Sequence, residues 1–231
     1  MNLVSFQKFT LVDYPGKIAT TVFTAGCNFR CPFCYNPELV FSAQPVTNGN
    51  KIEKDFFKFL ESRKGKLDGV CITGGEPTLQ SDLIEFMGKV KDMGYFVKLD
   101  TNGMRPDAVR RAIEAGVVDY FAMDIKNSLE RYSETVGINV DTERIKLSVE
   151  LIKNSGVDYD FRTTVVPGIH TYDDFKSIAT WIGGAKKYAL QGYRDQNILD
   201  PKLRDKKGEV LDLEKIKEMI EGEFGEVVIR D

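Results

Sequence analysis

The sequence predicts an α/β fold, an open partial TIM barrel of about six βα units with a short C-terminal extension. Short β-branched apolar runs alternate with amphipathic segments along most of the chain, and about six such pairs can be counted. A closed TIM barrel needs about eight units, so we expect the barrel to stay open. A chain of 231 residues suits one domain at 1–231, with its core at about 18–193 and the extension at about 194–231.

The predicted strands are the runs richest in β-branched and aromatic residues. They span Ile18–Thr24, Gly69–Thr73, Phe96–Asp100, Tyr120–Asp124, Asp160–Val166 and Lys187–Gln191. Predicted helices lie between them, at Glu53–Arg63, Ser81–Met93, Pro106–Ala115, Asp141–Ser155 and Tyr172–Ile182. In the extension, a helix at about Leu213–Glu221 and a strand at Val227–Arg230 are expected to pack across an edge or close the end of the barrel.

Residues at the helix boundaries fit this assignment. Ser81 and Asp173 are placed to cap the N-termini of two helices. Gly94, Gly116 and Gly156 fall where helices commonly end.

The composition excludes several classes of function. The net charge is -3 and the lysines and arginines are interspersed with acids, so we expect no nucleic-acid partner. No apolar run approaches the roughly 20 residues that span a bilayer, and Lys8, Asp13 and Lys17 interrupt the start of the chain, where a signal peptide would be apolar. We expect a cytoplasmic protein with no membrane partner, in a reducing compartment that keeps thiols free.

The chain has one histidine, His170, so a histidine-based metal site or a Ser-His-Asp triad is not expected. It lies beside Pro167-Gly168, so an exposed loop position is expected at least as much as a functional one.

Three cysteines, Cys27, Cys31 and Cys34, form a compact C-x-x-x-C-x-x-C loop. Three thiolates can hold three irons of a 4Fe-4S cube and leave the fourth iron open to a small molecule. A structural zinc site would need a fourth ligand, and three clustered cysteines cannot all pair as disulfides. The fourth cysteine, Cys71, has no partner and is predicted to be a buried strand residue.

The other distinctive motifs follow the predicted strands at their carboxyl ends, where the chemistry of βα barrels collects. They are Gly74-Gly75-Glu76-Pro77, Asp100-Thr101-Asn102-Gly103, Asp124 with Lys126, Arg162, and Gln191-Gly192-Tyr193. The sequence therefore predicts a single site at this end of the barrel.

The cysteine loop, with Phe33 just before the third cysteine, resembles that of the radical S-adenosylmethionine enzymes. The resemblance implies that Cys27, Cys31 and Cys34 ligate a 4Fe-4S cluster whose open iron chelates S-adenosylmethionine. It also implies that an electron from the cluster cleaves this cofactor, giving a 5'-deoxyadenosyl radical that abstracts a hydrogen atom from the substrate.

The same resemblance implies roles for the strand-end residues. Gly74, Gly75 and Glu76 would bind the amino group of S-adenosylmethionine, and the turn at Asp100, Thr101 and Asn102, together with Asp124 and Lys126, would line its methionine end. A monovalent cation would bind near Asp100 and Asp124. Arg162 would contact ribose or carboxylate, with a salt bridge to a strand-end aspartate as the alternative, and Gln191 and Tyr193 would lie at the adenosine end. Gly74-Gly75-Glu76-Pro77 and Asp100-Thr101-Asn102-Gly103 each have a purely structural alternative, in which the segment is a tight turn with no ligand.

Asp100-Thr101-Asn102-Gly103 and Ala122-Met123-Asp124-Ile125-Lys126 narrow the resemblance to the small activating enzymes of glycyl radical enzymes. The segment from Leu11 to Ile18, with Asp13-Tyr14-Pro15-Gly16, narrows it again. It is similar to the short activating proteins of anaerobic ribonucleoside-triphosphate reductase, within a group that includes the pyruvate formate-lyase activating enzymes. This implies a glycyl radical enzyme as protein substrate and a one-electron donor such as flavodoxin or ferredoxin. Tyr35 departs from the pattern, since many relatives have histidine there.

Two other readings of the sequence stay open. The chain could be a radical S-adenosylmethionine enzyme that acts on a small metabolite or nucleotide precursor, or a non-catalytic iron-sulfur or zinc-binding protein. A basic, phosphate-binding lateral opening would favour a nucleotide precursor, whereas a wide, neutral groove would favour a peptide.

Overall fold

The computed structural model describes residues 1–41, 49–205 and 208–230, which form one eight-stranded sheet with its strands in chain order. The strands are β1 (Leu3–Thr10), β2 (Ala19–Thr24), β3 (Gly69–Gly74), β4 (Phe96–Thr101), β5 (Tyr120–Asp124), β6 (Asp158–Val165), β7 (Tyr188–Gly192) and β8 (Val227–Arg230). The helices are α1 (Pro37–Val40), α2 (Gly49–Glu61), α3 (Leu83–Asp92), α4 (Pro106–Glu114), α5 (Tyr132–Val136), α6 (Thr142–Lys153), α7 (Tyr172–Ile182) and α8 (Leu213–Ile220). Short 3₁₀ turns lie at Pro77–Leu79, Pro201–Asp205 and Glu221–Glu223.

Strands β2 to β8 run parallel to one another, and β1 pairs antiparallel with β2. Within the described residues β1 and β8 do not pair, so they are the two edges of the sheet. The predicted open partial barrel is therefore confirmed. Strand β8 of the extension adds to the sheet beside β7, which was one of the two expected outcomes.

Strand β1 was missed because no helix follows it. It makes a hairpin with β2, in which Leu3 lies opposite Thr24 and Thr10 opposite Ala19. An antiparallel partner needs no crossover, so a search for βα units passes over it.

The two faces of the sheet differ in chemistry because strand side chains alternate in direction. Ile72, Leu99 and Phe121 are buried on the face that the helices cover. The residues that alternate with this set along the strands, such as Cys71, Asp100 and Asp124, line the interior of the barrel. A polar interior under an apolar outer layer makes the inside of the barrel a site for chemistry rather than a packed core.

Most helix boundaries follow the predictions, with two corrections at the N-caps. Asp82 rather than Ser81 precedes α3, and Thr171 rather than Asp173 caps α7. Thr171 and Asp174 form a reciprocal capping box, which satisfies two backbone amides at once. In the described part of the chain no helix is long and apolar enough to cross a membrane.

Candidate functional site

A cavity of about 770 Å³ occupies the interior of the barrel and reaches the carboxyl ends of its strands. Apart from Tyr193, every predicted site residue lines it: Cys27, Cys31, Phe33, Cys34, Gly74, Gly75, Glu76, Asp100, Thr101, Asn102, Asp124, Lys126, Arg162 and Gln191. The strand-end motifs thus converge on one site, as the parallel sheet requires.

The cysteine loop is held in place by backbone contacts with distant segments. The amide of Gly26 donates to the carbonyl of Leu39 at 2.8 Å, and the amide of Arg30 donates to the carbonyl of Val136 at 2.8 Å. The Arg30 guanidinium donates to the carbonyls of Cys27 and Phe29, each at 2.7 Å. Arg30 was not among the predicted site residues. Its position between two clustered cysteines was a signal that it stabilises the loop.

The three thiols are the side chains that would hold a cluster. Within the described residues, no three side chains of His, Cys, Asp or Glu are arranged to hold one metal ion. A 4Fe-4S cube binds each cysteine through a different iron, so its ligands need not converge on one point. Burial raises the pKa of Cys27 to about 11 and that of Cys31 to about 12, so these thiols stay protonated near neutral pH until bound iron stabilises the thiolates.

The Gly74-Gly75 turn packs directly against the backbone that leads into the cysteine loop. A Cβ added at Gly75 would lie 2.0 Å from the carbonyl oxygen of Gly26, and one at Gly74 would lie 2.2 Å from the amide nitrogen of Thr24. Gly75 N–H donates to the Thr24 carbonyl at 2.9 Å, and Glu76 N–H donates to that of Gly26 at 2.7 Å. These glycines therefore allow backbone to meet backbone, and a contact with S-adenosylmethionine stays a prediction.

Glu76 is 1% exposed, and its carboxylate accepts hydrogen bonds from the protein on both oxygens. Oε1 accepts from the Thr78 hydroxyl and amide and from the Thr101 hydroxyl at 2.8 Å, and Oε2 accepts from the Asn102 amide at 2.7 Å. Burial raises the pKa of Glu76 even though these hydrogen bonds oppose the shift. Glu76 thus ties the end of β3 to the turn after β4.

Asn102 carries this connection on to the cysteine loop. Its side-chain amide donates to Oδ1 of Asn28 at 2.8 Å and lies 4.0 Å from Sγ of Cys27. Asn28 was not among the predicted site residues.

A chain of alternating charges crosses the barrel interior from Lys98 to Lys126. Lys98 pairs with Oδ1 of Asp100, and Arg162 joins Oδ2 of Asp100 at 3.1 Å to Oδ1 of Asp124 at 2.6 Å. Lys126 pairs with Oδ2 of Asp124 at 2.8 Å. The salt-bridge alternative for Arg162 is therefore present, while its contact with the cofactor stays a prediction. Lys98 was missed, although alternation along β4 places it on the same face as Asp100.

These ion pairs set the protonation of the buried groups. Burial would raise the pKa of Asp124, but Arg162 and Lys126 outweigh it and hold that pKa well below its usual range. Burial would lower the pKa of Lys126, but Asp124 and Cys31 outweigh it and raise that pKa. The Lys126 ammonium also lies 5.9 Å from the centroid of the Phe33 ring, beside the cysteine loop. A fixed positive charge there suits the carboxylate of S-adenosylmethionine.

The monovalent cation near Asp100 and Asp124 stays a prediction, and it would share these carboxylates with the charged groups of the protein. All four carboxylate oxygens of Asp100 and Asp124 already meet a cation of the protein, supplied by Lys98, Arg162 or Lys126.

Tyr193 stacks on Tyr35, with ring centroids 6.3 Å apart and planes inclined by 23°. The Tyr35 hydroxyl accepts a hydrogen bond from the amide of Arg194 at 2.7 Å. Tyr35, where many relatives have histidine, thus joins the cysteine loop to the start of the C-terminal extension. Tyr193 does not line the cavity, and its adenosine contact stays a prediction.

The expectation of an exposed loop position for His170 is wrong. His170 is buried, its Nδ1 accepts from the amide of Val166 at 3.0 Å, and its Nε2 lies 2.8 Å from the carbonyl oxygen of Lys126. Because Nδ1 accepts, Nε2 carries the proton and donates to Lys126. Burial lowers the pKa of His170, so the neutral ring is favoured. His170 fixes the backbone of a site lysine, and no local sequence signal marks this long-range contact.

Comparison with known proteins agrees with this geometry. Residues 21–182 match the family model of the Radical SAM superfamily. A protein of Methanocaldococcus jannaschii whose name proposes a glycyl-radical enzyme activating enzyme is 33% identical over 214 residues, covering 89% of this chain and 87% of that protein. The pyruvate formate-lyase-activating enzyme of Clostridium pasteurianum is 29% identical over 234 residues, covering 93% of each.

Among solved structures, Streptococcus suis SuiB bound to precursor peptide SuiA has a TM-score of 0.69 and 14% identity, covering 91% of this chain and 48% of that chain. This chain therefore spans about half the length of SuiB, and the likeness shows a shared fold. The family match covers most of the chain, and the three-cysteine loop and the polar barrel interior suit the cofactors of that family. The chain belongs to the radical S-adenosylmethionine superfamily, and it is an enzyme whose cofactors are a 4Fe-4S cluster and S-adenosylmethionine.

Proposed function

We propose that this enzyme is an activase that generates a glycyl radical on a partner enzyme, and that the partner is an anaerobic ribonucleotide reductase. The bound cluster and S-adenosylmethionine supply the radical chemistry that removes one hydrogen atom from a glycine. The chain's own residues would place the cofactor, shield the reaction from water and admit the glycine loop of the partner. The relatives named as activating enzymes support the general activity, and the Asp13-Tyr14-Pro15-Gly16 segment supports the choice of partner.

One observation carries the proposal, the gap beside the cavity where, among the described residues, β1 and β8 do not pair. The edge strands and the connection between β1 and β2 contribute Gln7, Val12, Asp13 and Arg230 to the cavity wall. A cavity that extends to both edges of an open sheet offers an entrance for an extended peptide from the side of the barrel. A glycine buried in a partner's loop needs such an entrance to reach the cofactor.

The charge at this gap favours a peptide over a nucleotide. Asp13 accepts a hydrogen bond from the Thr21 hydroxyl, and Arg230 forms an ion pair with Asp160. The edge strands and their connection therefore contribute one acid and one already paired base, which do not make a phosphate-binding surface. This supports the activase over the alternative enzyme acting on a nucleotide precursor.

We also propose that the enzyme works in the cytoplasm and takes its electron from a flavodoxin or ferredoxin. All four cysteines are free thiols, which suits a reducing compartment.

The test uses the reduced chain, S-adenosylmethionine and the candidate reductase, mixed without oxygen. We expect a glycyl radical doublet by EPR spectroscopy, and transfer of deuterium from labelled glycine of the reductase into 5'-deoxyadenosine. Cys31→Ala should abolish both signals because the cluster is lost, whereas Cys71→Ala should keep the cluster. Rapid turnover of a small metabolite, with no radical on any glycyl radical enzyme of the same organism, would favour the alternative enzyme instead.

A further inference from the structure

A second groove lies outside the barrel, between the N-terminal part of α4 and α6, and nothing in the proposed reaction uses it. It encloses about 780 Å³ and runs from Asn28 in the cysteine loop to Leu147 on α6. Its Asn28 end lies next to a cluster ligand, because the Asn102 side chain that bonds Asn28 is 4.0 Å from Sγ of Cys27. We infer that this groove docks a small acidic electron-carrier protein that reduces the cluster, an inference that rests on the proposed radical function.

The charge of the groove is positive. Arg105, Arg110 and Arg144 line it, with Asp107 as the one acidic residue in its wall. Asp107 pairs with Arg105 at 3.0 Å and with Arg144 at 3.6 Å, and Arg144 also donates from Nε to the carbonyl of Met104 at 3.1 Å. Arg110 is exposed and forms no ion pair with any described residue. The whole chain carries a net charge of -3, so a local positive groove directs an acidic protein to this face.

The apolar residues of the groove suit a protein partner. Leu147 is 44% exposed, and Leu79 and Met104 are half-buried beside the arginines. Methionine and arginine are enriched in protein interfaces, where an apolar centre is surrounded by a polar rim. Electron-transfer partners use small interfaces of this kind, because they must separate again after each encounter.

Other sides of the cysteine loop are occupied. The amides of Leu199 and Asp200 in the C-terminal extension donate to the carbonyls of Cys34 and Pro32, each at 3.0 Å. Phe33 and the thiols face the cavity that the cofactor and substrate would fill. Among the described residues the Asn28 side of the loop opens into the groove, where the carrier docks outside the barrel while the substrate loop enters between β1 and β8. In the encounter the carrier loses one electron and the cluster gains one, and no proton or bond is exchanged.

The decisive variants are two charge reversals on the same helix. Arg110→Glu places an acid in the groove, and Arg111→Glu makes the same change at an exposed position outside it. Reduction of the cluster is followed by anaerobic stopped-flow absorbance, with either reduced flavodoxin or reduced ferredoxin in excess. We expect Arg110→Glu to slow reduction about tenfold or more at low ionic strength, and Arg111→Glu to change it by less than about twofold. The difference in reduction rate between Arg110→Glu and Arg111→Glu should become smaller in high salt, because salt screens exposed charges.

Binding of the oxidised carrier, measured by calorimetry, should weaken in Arg110→Glu and not in Arg111→Glu. Dithionite is a small reductant that does not need the groove. It should therefore reduce the cluster of the wild type, Arg110→Glu and Arg111→Glu at the same rate, and all three should form equal amounts of 5'-deoxyadenosine. If dithionite yields no 5'-deoxyadenosine from the wild type, the proposed function fails, while the binding measurement still tests the groove.

Three outcomes would overturn the docking inference. The first is an equal fall in the rate of cluster reduction in Arg110→Glu and Arg111→Glu. The second is an unchanged rate of cluster reduction in Arg110→Glu at low salt. This second outcome includes the case in which Arg110→Glu instead loses affinity for the glycyl radical enzyme. The third is a wild-type cluster that dithionite reduces and neither carrier does.

Discussion

Glu76 and Asn102 meet inside the molecule, where Oε2 of Glu76 accepts the backbone amide of Asn102 at 2.7 Å. This hydrogen bond joins the turn after β3 to the turn after β4, and Asn102 in turn bonds Asn28 of the cysteine loop. The Glu76 carboxylate is therefore part of the support for the site.

Glu76→Ala should destabilise the fold as well as weaken the binding of S-adenosylmethionine. The substitution leaves buried donors of Thr78, Thr101 and Asn102 without their acceptor, at a cost of about 2 to 4 kcal/mol in the free energy of unfolding. Denaturant unfolding and equilibrium binding of the cofactor would measure the two effects. Glu130→Ala, at an exposed glutamate, should change stability by less than about 0.5 kcal/mol. Weaker binding with unchanged unfolding would show that Glu76 acts only by touching the cofactor.

Gly75→Ala should displace the cysteine loop. Its Cβ would lie 2.0 Å from the Gly26 carbonyl oxygen, so backbone must move, and we expect a loss of about 3 kcal/mol together with lower iron content after reconstitution. Gly88→Ala is the matched control, because a Cβ there meets nothing within 4 Å and lies inside helix α3. That control should gain about 0.5 to 1 kcal/mol. Normal iron content and stability in Gly75→Ala would contradict the close packing of the two turns.

Arg162→Met should destabilise the barrel interior. It removes the cation between Asp100 and Asp124 and leaves two carboxylates facing each other, for which we expect a cost of about 3 kcal/mol by urea unfolding. Arg105→Met breaks an exposed pair with Asp107 and should cost less than about 1 kcal/mol. Similar losses in the two variants would mean that the buried ion pairs do not stabilise the fold.

His170 should make the free energy of unfolding depend on pH in the mildly acidic range. Its pKa is lowered in the folded state by burial, and the nearby Asp174 and Arg131 act on it in opposite directions. As the pH falls, His170 therefore takes up a proton in the unfolded chain before it does so in the folded chain. The free energy of unfolding then falls as the pH drops below about 6.5. Above that pH the contribution is fully present.

His170→Phe should cost about 1 to 3 kcal/mol at pH 7.5, because the Val166 amide and the Lys126 carbonyl lose their partner. The variant should also lack this part of the pH dependence, so the difference in unfolding free energy between the two proteins should shrink as the pH falls. A constant difference from pH 5 to pH 7.5 would mean that His170 does not titrate on unfolding.

The sequence by itself predicted three cluster ligands and determined most of the sheet. Cys27, Cys31 and Cys34 lie within one short loop, so their spacing predicts a donor set of three thiolates, and the family resemblance assigns it to a 4Fe-4S cluster. Strands β2 to β7 could be predicted because apolar alternation and helical periodicity are local patterns. The strand-end motifs could then be placed together, because parallel strands in a barrel end on the same side.

The tertiary structure alone decided which partner each buried polar group takes. Arg162 reaches Asp100 and Asp124 across 62 and 38 residues of sequence, and His170 reaches Lys126 across 44. Such pairings depend on which side chains meet inside the curved, open sheet, and periodicity does not encode them. The pairing of β1 with β2 and the arginine groove likewise depend on contacts between segments that no local sequence pattern connects. They could therefore be identified only in the folded chain.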